Sequence, residues 1–119
     1  MLTILFGVTV KAERETEFRA IAERLTTSTH AEDAGCIAYT FYRQTDNPLK
    51  VTLFEQWADQ EALGAHMARL VSLLGPADDD ESLPLNHVRR RLPRAFMDLF
   101  EETTVTRYEP LLSTEPAAT

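Results

Sequence analysis

Residues 2 to 10, Leu-Thr-Ile-Leu-Phe-Gly-Val-Thr-Val, are dense in β-branched and aromatic side chains and too short for a stable amphipathic helix, so they predict a largely buried first strand. The period changes at Lys11 to Glu13. Phe18, Ile21, Ala22 and Leu25 then recur at i, i+3, i+4 and i+7, with Glu and Arg between them. That is the stripe of a one-sided helix, running from about 13 to 30. Gly35 breaks it, and Cys36 to Arg43 returns to strand composition. Asp46-Asn47-Pro48 supplies turn chemistry, and Lys50 to Trp57 is a third strand-type run, so the second and third strands form a hairpin. Asp59 is placed to cap the next helix by accepting the orphan amide of Glu61 or Ala62. Leu63, His66, Met67, Leu70 and Leu74 follow at helical spacing, which puts a histidine in the middle of an apolar stripe.

Between Gly75 and His87 the periodicity dissolves into an acidic loop, longer than the usual connection and of a kind often used as a lid. Pro93 opens a short helix with Leu92, Phe96, Met97 and Phe100 on its apolar side, and Thr103 to Tyr108 is the fourth strand. Ser113 to Thr119 reads as a frayed, flexible tail. The order predicts one α+β domain over residues 1–112, of the ferredoxin-like split βαβ kind: a four-stranded antiparallel sheet with helices on one face. Both parities of the first strand are apolar (Ile4, Phe6 and Val8 against Leu2 and Leu5), as are those of the third (Leu53 and Trp57 against Phe54). The face away from the helices therefore needs a cover, and a second copy of the sheet is the simplest one, which predicts a homodimer.

Charge narrows the partners. Across 119 residues, 19 acidic and 12 basic side chains leave a net charge of -7, which repels phosphate backbones and anionic lipid heads. Neither nucleic acid nor a membrane is expected as a partner. The basic run Arg89-Arg90-Arg91 follows Asp78-Asp79-Asp80-Glu81 closely enough for mutual neutralisation. Cys36 is the single cysteine, so no intramolecular disulfide and no CxxC pair can form, which fits a reducing cytoplasm. No cationic neighbour in sequence activates its thiol, and it reads as a small buried hydrophobe. The N-terminal apolar run is too short for a signal h-region or a membrane span. His30, His66 and His87 share no ligand spacing and the acidic loop lacks a calcium pattern, so no metal site is expected. Phosphate-cradling glycine loops, GxSxG and HExxH are all missing.

Gly35-Cys36 at the start of the second strand, Tyr39 and Tyr42-Arg43 within it, Asp46 and Pro48 in the turn, Glu55-Gln56-Trp57, and Leu63-Gly64-Ala65-His66 together resemble the antibiotic biosynthesis monooxygenase family. The resemblance covers about residues 2 to 70 and implies a dimeric α+β barrel. It also implies a function among cofactor-free monooxygenases of quinols and polycyclic phenols, haem-degrading enzymes, and small-molecule isomerases. The haem degraders carry an aromatic on the second helix, a haem-ligating histidine ten residues later and an asparagine on the first strand. Here those positions match His66, Pro76 and Gly7, so the iron lacks that axial ligand, and only His87 from the long loop would replace it. The asparagine that polyketide-acting members carry four residues before the tryptophan falls on Leu53, which removes a hydrogen-bonding handle.

A pocket between sheet and helices would be walled by Leu53, Trp57, Met67 and Phe100, with Tyr42 reaching in from the second strand, an apolar cavity suited to a flat ring. His66 would be its titratable group, and a dry site favours the neutral imidazole, available as a base. With the resemblance, this reads as a cofactor-free monooxygenase taking a small aromatic substrate and O2, with His66 and Trp57 catalytic. Two alternatives stand beside it: an isomerase on the same fold, and a non-catalytic dimeric binding or accessory protein in which His66 is a satisfied core histidine and Trp57 is packing. A polar partner fixing the His66 tautomer beside an open cavity favours an enzyme. A filled pocket with His66 bonded to backbone favours the binding protein.

Overall fold

The four strands are β1 (Leu2–Val10), β2 (Cys36–Arg43), β3 (Lys50–Trp57) and β4 (Phe100–Tyr108), and they assemble in the order β2-β3-β1-β4, all antiparallel. This is the ferredoxin-like α+β arrangement. The computed structural model describes residues 1–113; the tail expected over 113–119 lies, apart from Ser113, outside the described residues. Helices α1 (Glu15–Glu32) and α2 (Gln60–Leu74) cover one face of the sheet, and α3 (Arg94–Met97) is a single turn. Among the described residues no helix is long and apolar enough to cross a membrane.

The covered face is built by one parity of each strand. Ile4, Phe6, Val8 and Val10 of β1 are buried, and so are Val51, Leu53, Glu55 and Trp57 of β3. Phe18, Ala22, Leu25 and Thr29 form the buried stripe of α1, close to the predicted period. That helix starts later than the pattern indicates, because residues 12–14 form a 3-10 turn ahead of it, and it runs on to Glu32. The Asp59 carboxylate caps α2 by accepting the Ala62 amide at 2.8 Å. Gly75, at φ 100°, ends the helix in a backbone conformation that side-chain-bearing residues rarely adopt.

The fourth strand begins three residues earlier than predicted. Phe100 is not on a helix: α3 stops after one turn, the Lys11 amide donates to the Leu99 carbonyl at 2.9 Å, and Phe100 pairs with Val10 at a register shift in β1. An apolar cluster followed by Glu-Glu-Thr-Thr carries no period that separates these two outcomes. The long loop is closed at its base, where Ala77 bridges to Pro93 and the Arg94 amide donates to the Pro76 carbonyl at 2.9 Å. Its two charge runs make no ion pair with each other among the described residues. Arg90 donates to the Leu83 carbonyl and Arg89 approaches Asp98 at 3.9 Å.

Candidate functional site

A cavity of about 560 Å³ opens between the covered face of the sheet, α2 and the long loop. Ile4, Phe6, Leu53 and Glu55 form its sheet wall, Leu63, His66, Met67 and Leu70 come from α2, and Val88, Arg91 and Leu92 come from the loop. The volume falls in the range that holds a small ligand.

His66 is 2% exposed, and its imidazole is held from two sides. Nδ1 lies 2.7 Å from Asp33 Oδ2, so Nδ1–H donates to the carboxylate and Nε2 keeps its lone pair. The other carboxylate oxygen of Asp33 accepts from Arg69 Nη1 at 2.8 Å, and Arg69 Nη2 donates to Ser28 Oγ. Burial lowers the His66 pKa below the ordinary histidine value, against the opposing pull of Asp33. The imidazole is therefore neutral at neutral pH, with Asp33 orienting it.

Asp33 follows the last turn of α1, and its position depends on a close backbone approach. A Cβ at Gly35 would collide with the Ala62 methyl group of α2, so only glycine lets the 33–35 segment lie against the helix that carries His66. The Gly35 carbonyl accepts the Ala58 amide at 2.9 Å, tying the same segment to the end of β3.

Glu55 stands on the other side. Its Oε1 is 4.0 Å from His66 Nε2, beyond hydrogen-bond reach, and accepts from Trp57 Nε1 at 3.1 Å. Burial pushes its carboxyl up to about 7, and the indole N–H only partly offsets this. Two titratable groups, one carboxyl raised and one imidazole lowered by burial, thus face the same cavity. Among the described residues no three His, Cys, Asp or Glu side chains are grouped to hold a metal ion.

The residues expected at this site divide. His66, Leu53 and Met67 line the cavity. Trp57 does not: it is fully buried behind His66, with ring centroids 4.5 Å apart, so it braces the imidazole and Glu55 and forms no wall. Tyr42 is 58% exposed on the opposite face of the sheet, where it pairs with Thr52; the tyrosine at the cavity is Tyr39, three residues earlier and of the other parity. Phe100 is packed against Phe6, Phe18 and Phe96 and does not reach the cavity, because it starts β4 opposite Val10, at the end of β1 away from Ile4. Asp33, Glu55 and Arg69 were not anticipated. Glu55 had a visible signal, since it shares the inward parity of Leu53 and Trp57, and a carboxylate on an apolar strand face needs an explanation. Asp33 and Arg69 had none, because their partners lie 33 and 36 residues away in sequence.

The family model for antibiotic biosynthesis monooxygenase matches residues 1–70, which include Asp33, Glu55 and His66 but not the long loop or β4. No curated protein matches the chain. Solved structures do. A conserved protein from Methanosarcina mazei Go1 superposes with a TM-score of 0.63 at 21% identity, over 90% of this chain and 89% of that one. Rv0793 from Mycobacterium tuberculosis gives 0.66 at 19% identity, over 96% and 98%. A structure named antibiotic biosynthesis monooxygenase gives 0.66 at 18% identity, over 94% and 100%. At these identities the structures show a shared fold, whereas the family model covers more than half of the chain. The chain belongs to the antibiotic biosynthesis monooxygenase family.

Proposed function

We propose that this protein is a cofactor-independent monooxygenase that oxidises a quinol-like or polycyclic phenolic molecule with O2, working as a homodimer in a reducing cytoplasm. One observation carries the reading: a buried imidazole, fixed by Asp33 at 2.7 Å so that Nε2 is the basic nitrogen, lines an open apolar cavity. A histidine that served only the core would be satisfied without a cavity beside it.

In this reading the phenol enters with its ring against Leu53 and Met67 and gives its proton to His66 Nε2. The phenolate passes one electron to O2, and the resulting superoxide joins the ring radical at a carbon that bears hydrogen, forming a carbon–oxygen bond. That carbon then loses its proton while the O–O bond breaks and water leaves, so substrate and O2 become a ring carbonyl and one water. His66 takes the first proton and returns it to the peroxide oxygen, and Glu55 is placed to carry the second from the carbon to the departing oxygen, which leaves as water. Asp33 stabilises the imidazolium formed on the way. Trp57 and Arg69 act as positioning residues, through Glu55 and Asp33 respectively.

The dimer is supported by the sheet face that the helices leave uncovered. Leu5 and Phe54 pair across its middle, with Tyr42 and the 51%-exposed Tyr108 at its margins, a surface suited to a second copy of itself. A second reading, an isomerase, is favoured by the Glu55 carboxyl near 7 opposite Nε2, since such a pair can move a proton between two carbons of a carbonyl compound.

Oxygen uptake by the metal-stripped protein, over a panel of hydroquinones and polycyclic phenols, tests the reading. We expect uptake that depends on the protein and falls by roughly 10²-fold or more in His66→Ala. A silent panel overturns the oxygenase reading in favour of the isomerase or a binding protein, and uptake unchanged in His66→Ala overturns the assignment of the base.

A further inference from the structure

The cavity lining changes character along its depth. The inner part is mostly buried and apolar apart from His66, Glu55 and the half-buried Tyr39, whereas the rim residues Gln60, Asn86, Arg91 and Arg107 are all exposed. Nineteen acidic against twelve basic side chains leave this protein a charge of -7, yet among the described residues no acidic side chain is at the rim. Arg107 reaches in from β4 and donates to Gln60 Oε1 at 3.2 Å, while Arg91 comes from the loop. Among the described residues neither guanidinium has a carboxylate within 4.0 Å, and these two are the arginines that line the cavity.

Two guanidinium groups without acidic partners at the mouth of an apolar cavity supply the chemistry that recognises an anion joined to a ring. A guanidinium binds a carboxylate through paired, charge-assisted hydrogen bonds. Within a negatively charged protein, a local positive rim also draws an anionic ligand to the opening. We propose that Arg91 and Arg107 bind the carboxylate of an aromatic acid, whose apolar ring extends inward toward His66. The inference rests on the reading of this cavity as the substrate site and adds the class of substrate: an aromatic molecule carrying a carboxylate, its reacting ring held deep and its acid group at the mouth.

Calorimetric titration of the intact protein with 2-naphthoate and with its neutral analogue 2-naphthamide tests this without turnover. The wild-type protein is expected to prefer the naphthoate by about tenfold or more, the scale of a charge-assisted contact, with the preference shrinking as salt rises. Arg91→Gln and Arg107→Gln should each reduce that preference, and the double variant should abolish it. Affinity for 2-naphthamide should stay unchanged in all three, which checks that they remain folded. Equal affinity for the two probes in the wild type, a preference that survives in the double variant, or no binding of either probe overturns the proposal. Silence in the oxygen assay alongside an intact naphthoate preference removes the oxygenase reading and leaves the anion site standing. Oxygen uptake with no such preference does the reverse.

Discussion

The two ends of the covered sheet face are buried equally well but filled by opposite means. At one end Phe6, Phe18, Phe96 and Phe100 meet mostly edge to face, with centroids 5.0 to 6.1 Å apart, and Leu99 and Met97 close the gaps. At the other end Ile4, Trp57 and Leu63 surround a histidine and two carboxylates, next to the cavity. Aromatic packing of the first kind returns its burial as stability. The second end surrenders part of that stability, because desolvation disfavours the ionised Glu55 and the protonated His66, and in exchange it holds groups with displaced proton affinities. The aromatic end anchors the fold and, through Phe6 and Phe96, also borders the cavity, whereas the desolvated titratable groups are confined to the other end.

Three substitutions press on that contrast. Phe100→Ala, at the aromatic end, should cost about 3–5 kcal/mol in urea unfolding and leave turnover per folded molecule near wild type. A loss of turnover at full folding would mean that the two ends are not separable.

At the polar end the sign depends on pH. Glu55 rises from its usual 4.5 to about 7 in the folded protein, so the native state holds that proton longer than the unfolded chain does. Its contribution is present below about pH 4.5 and is lost as pH rises through about 7, a difference of about 3 kcal/mol. His66 works the other way: its lowered pKa contributes stability above its ordinary 6.5 that is lost as the solution is acidified. Urea midpoints followed from pH 5 to pH 8 should therefore decline less steeply in Glu55→Gln than in the wild type. Parallel curves would show that Glu55 titrates normally.

The smallest effect is expected from Asp33→Asn. The amide oxygen can still accept Nδ1–H, so the ring keeps its orientation, but the imidazolium loses a charged partner. Turnover should drop about tenfold and the acidic limb of the pH–rate profile should move to lower pH. If both stay as in the wild type, Asp33 is a packing residue and Nε2 basicity owes nothing to it.

Much of the architecture was open to reading along the chain, because period and turn chemistry are local properties. The hairpin, the Asp59 cap and the one-sided stripes of α1 and α2 each follow from residues within a few positions of one another. The start of β4 did not, since Leu99 and Phe100 are held by Lys11 and Val10, far away in sequence. The site divides in the same way. His66 stood out as the odd member of an apolar stripe, and Leu53 and Met67 were legible from parity and helical spacing. Strand composition alone does not say which parity of β2 faces inward, and the expectation of Tyr42 at the cavity fell on the wrong one. The register of β2, with its shift between Cys36 and Ala38, sets Tyr39 opposite Glu55.

By itself, then, the sequence determined the element order, the ferredoxin-like class and the presence of a histidine on a buried face, all consequences of side-chain periodicity. Only the tertiary structure decided that Asp33 orients that histidine, that Glu55 shares its cavity, that Trp57 stands behind them and that Arg91 and Arg107 guard the mouth. Those contacts join residues tens of positions apart, and their distances exist only after β1, β3, α2 and the long loop have packed together.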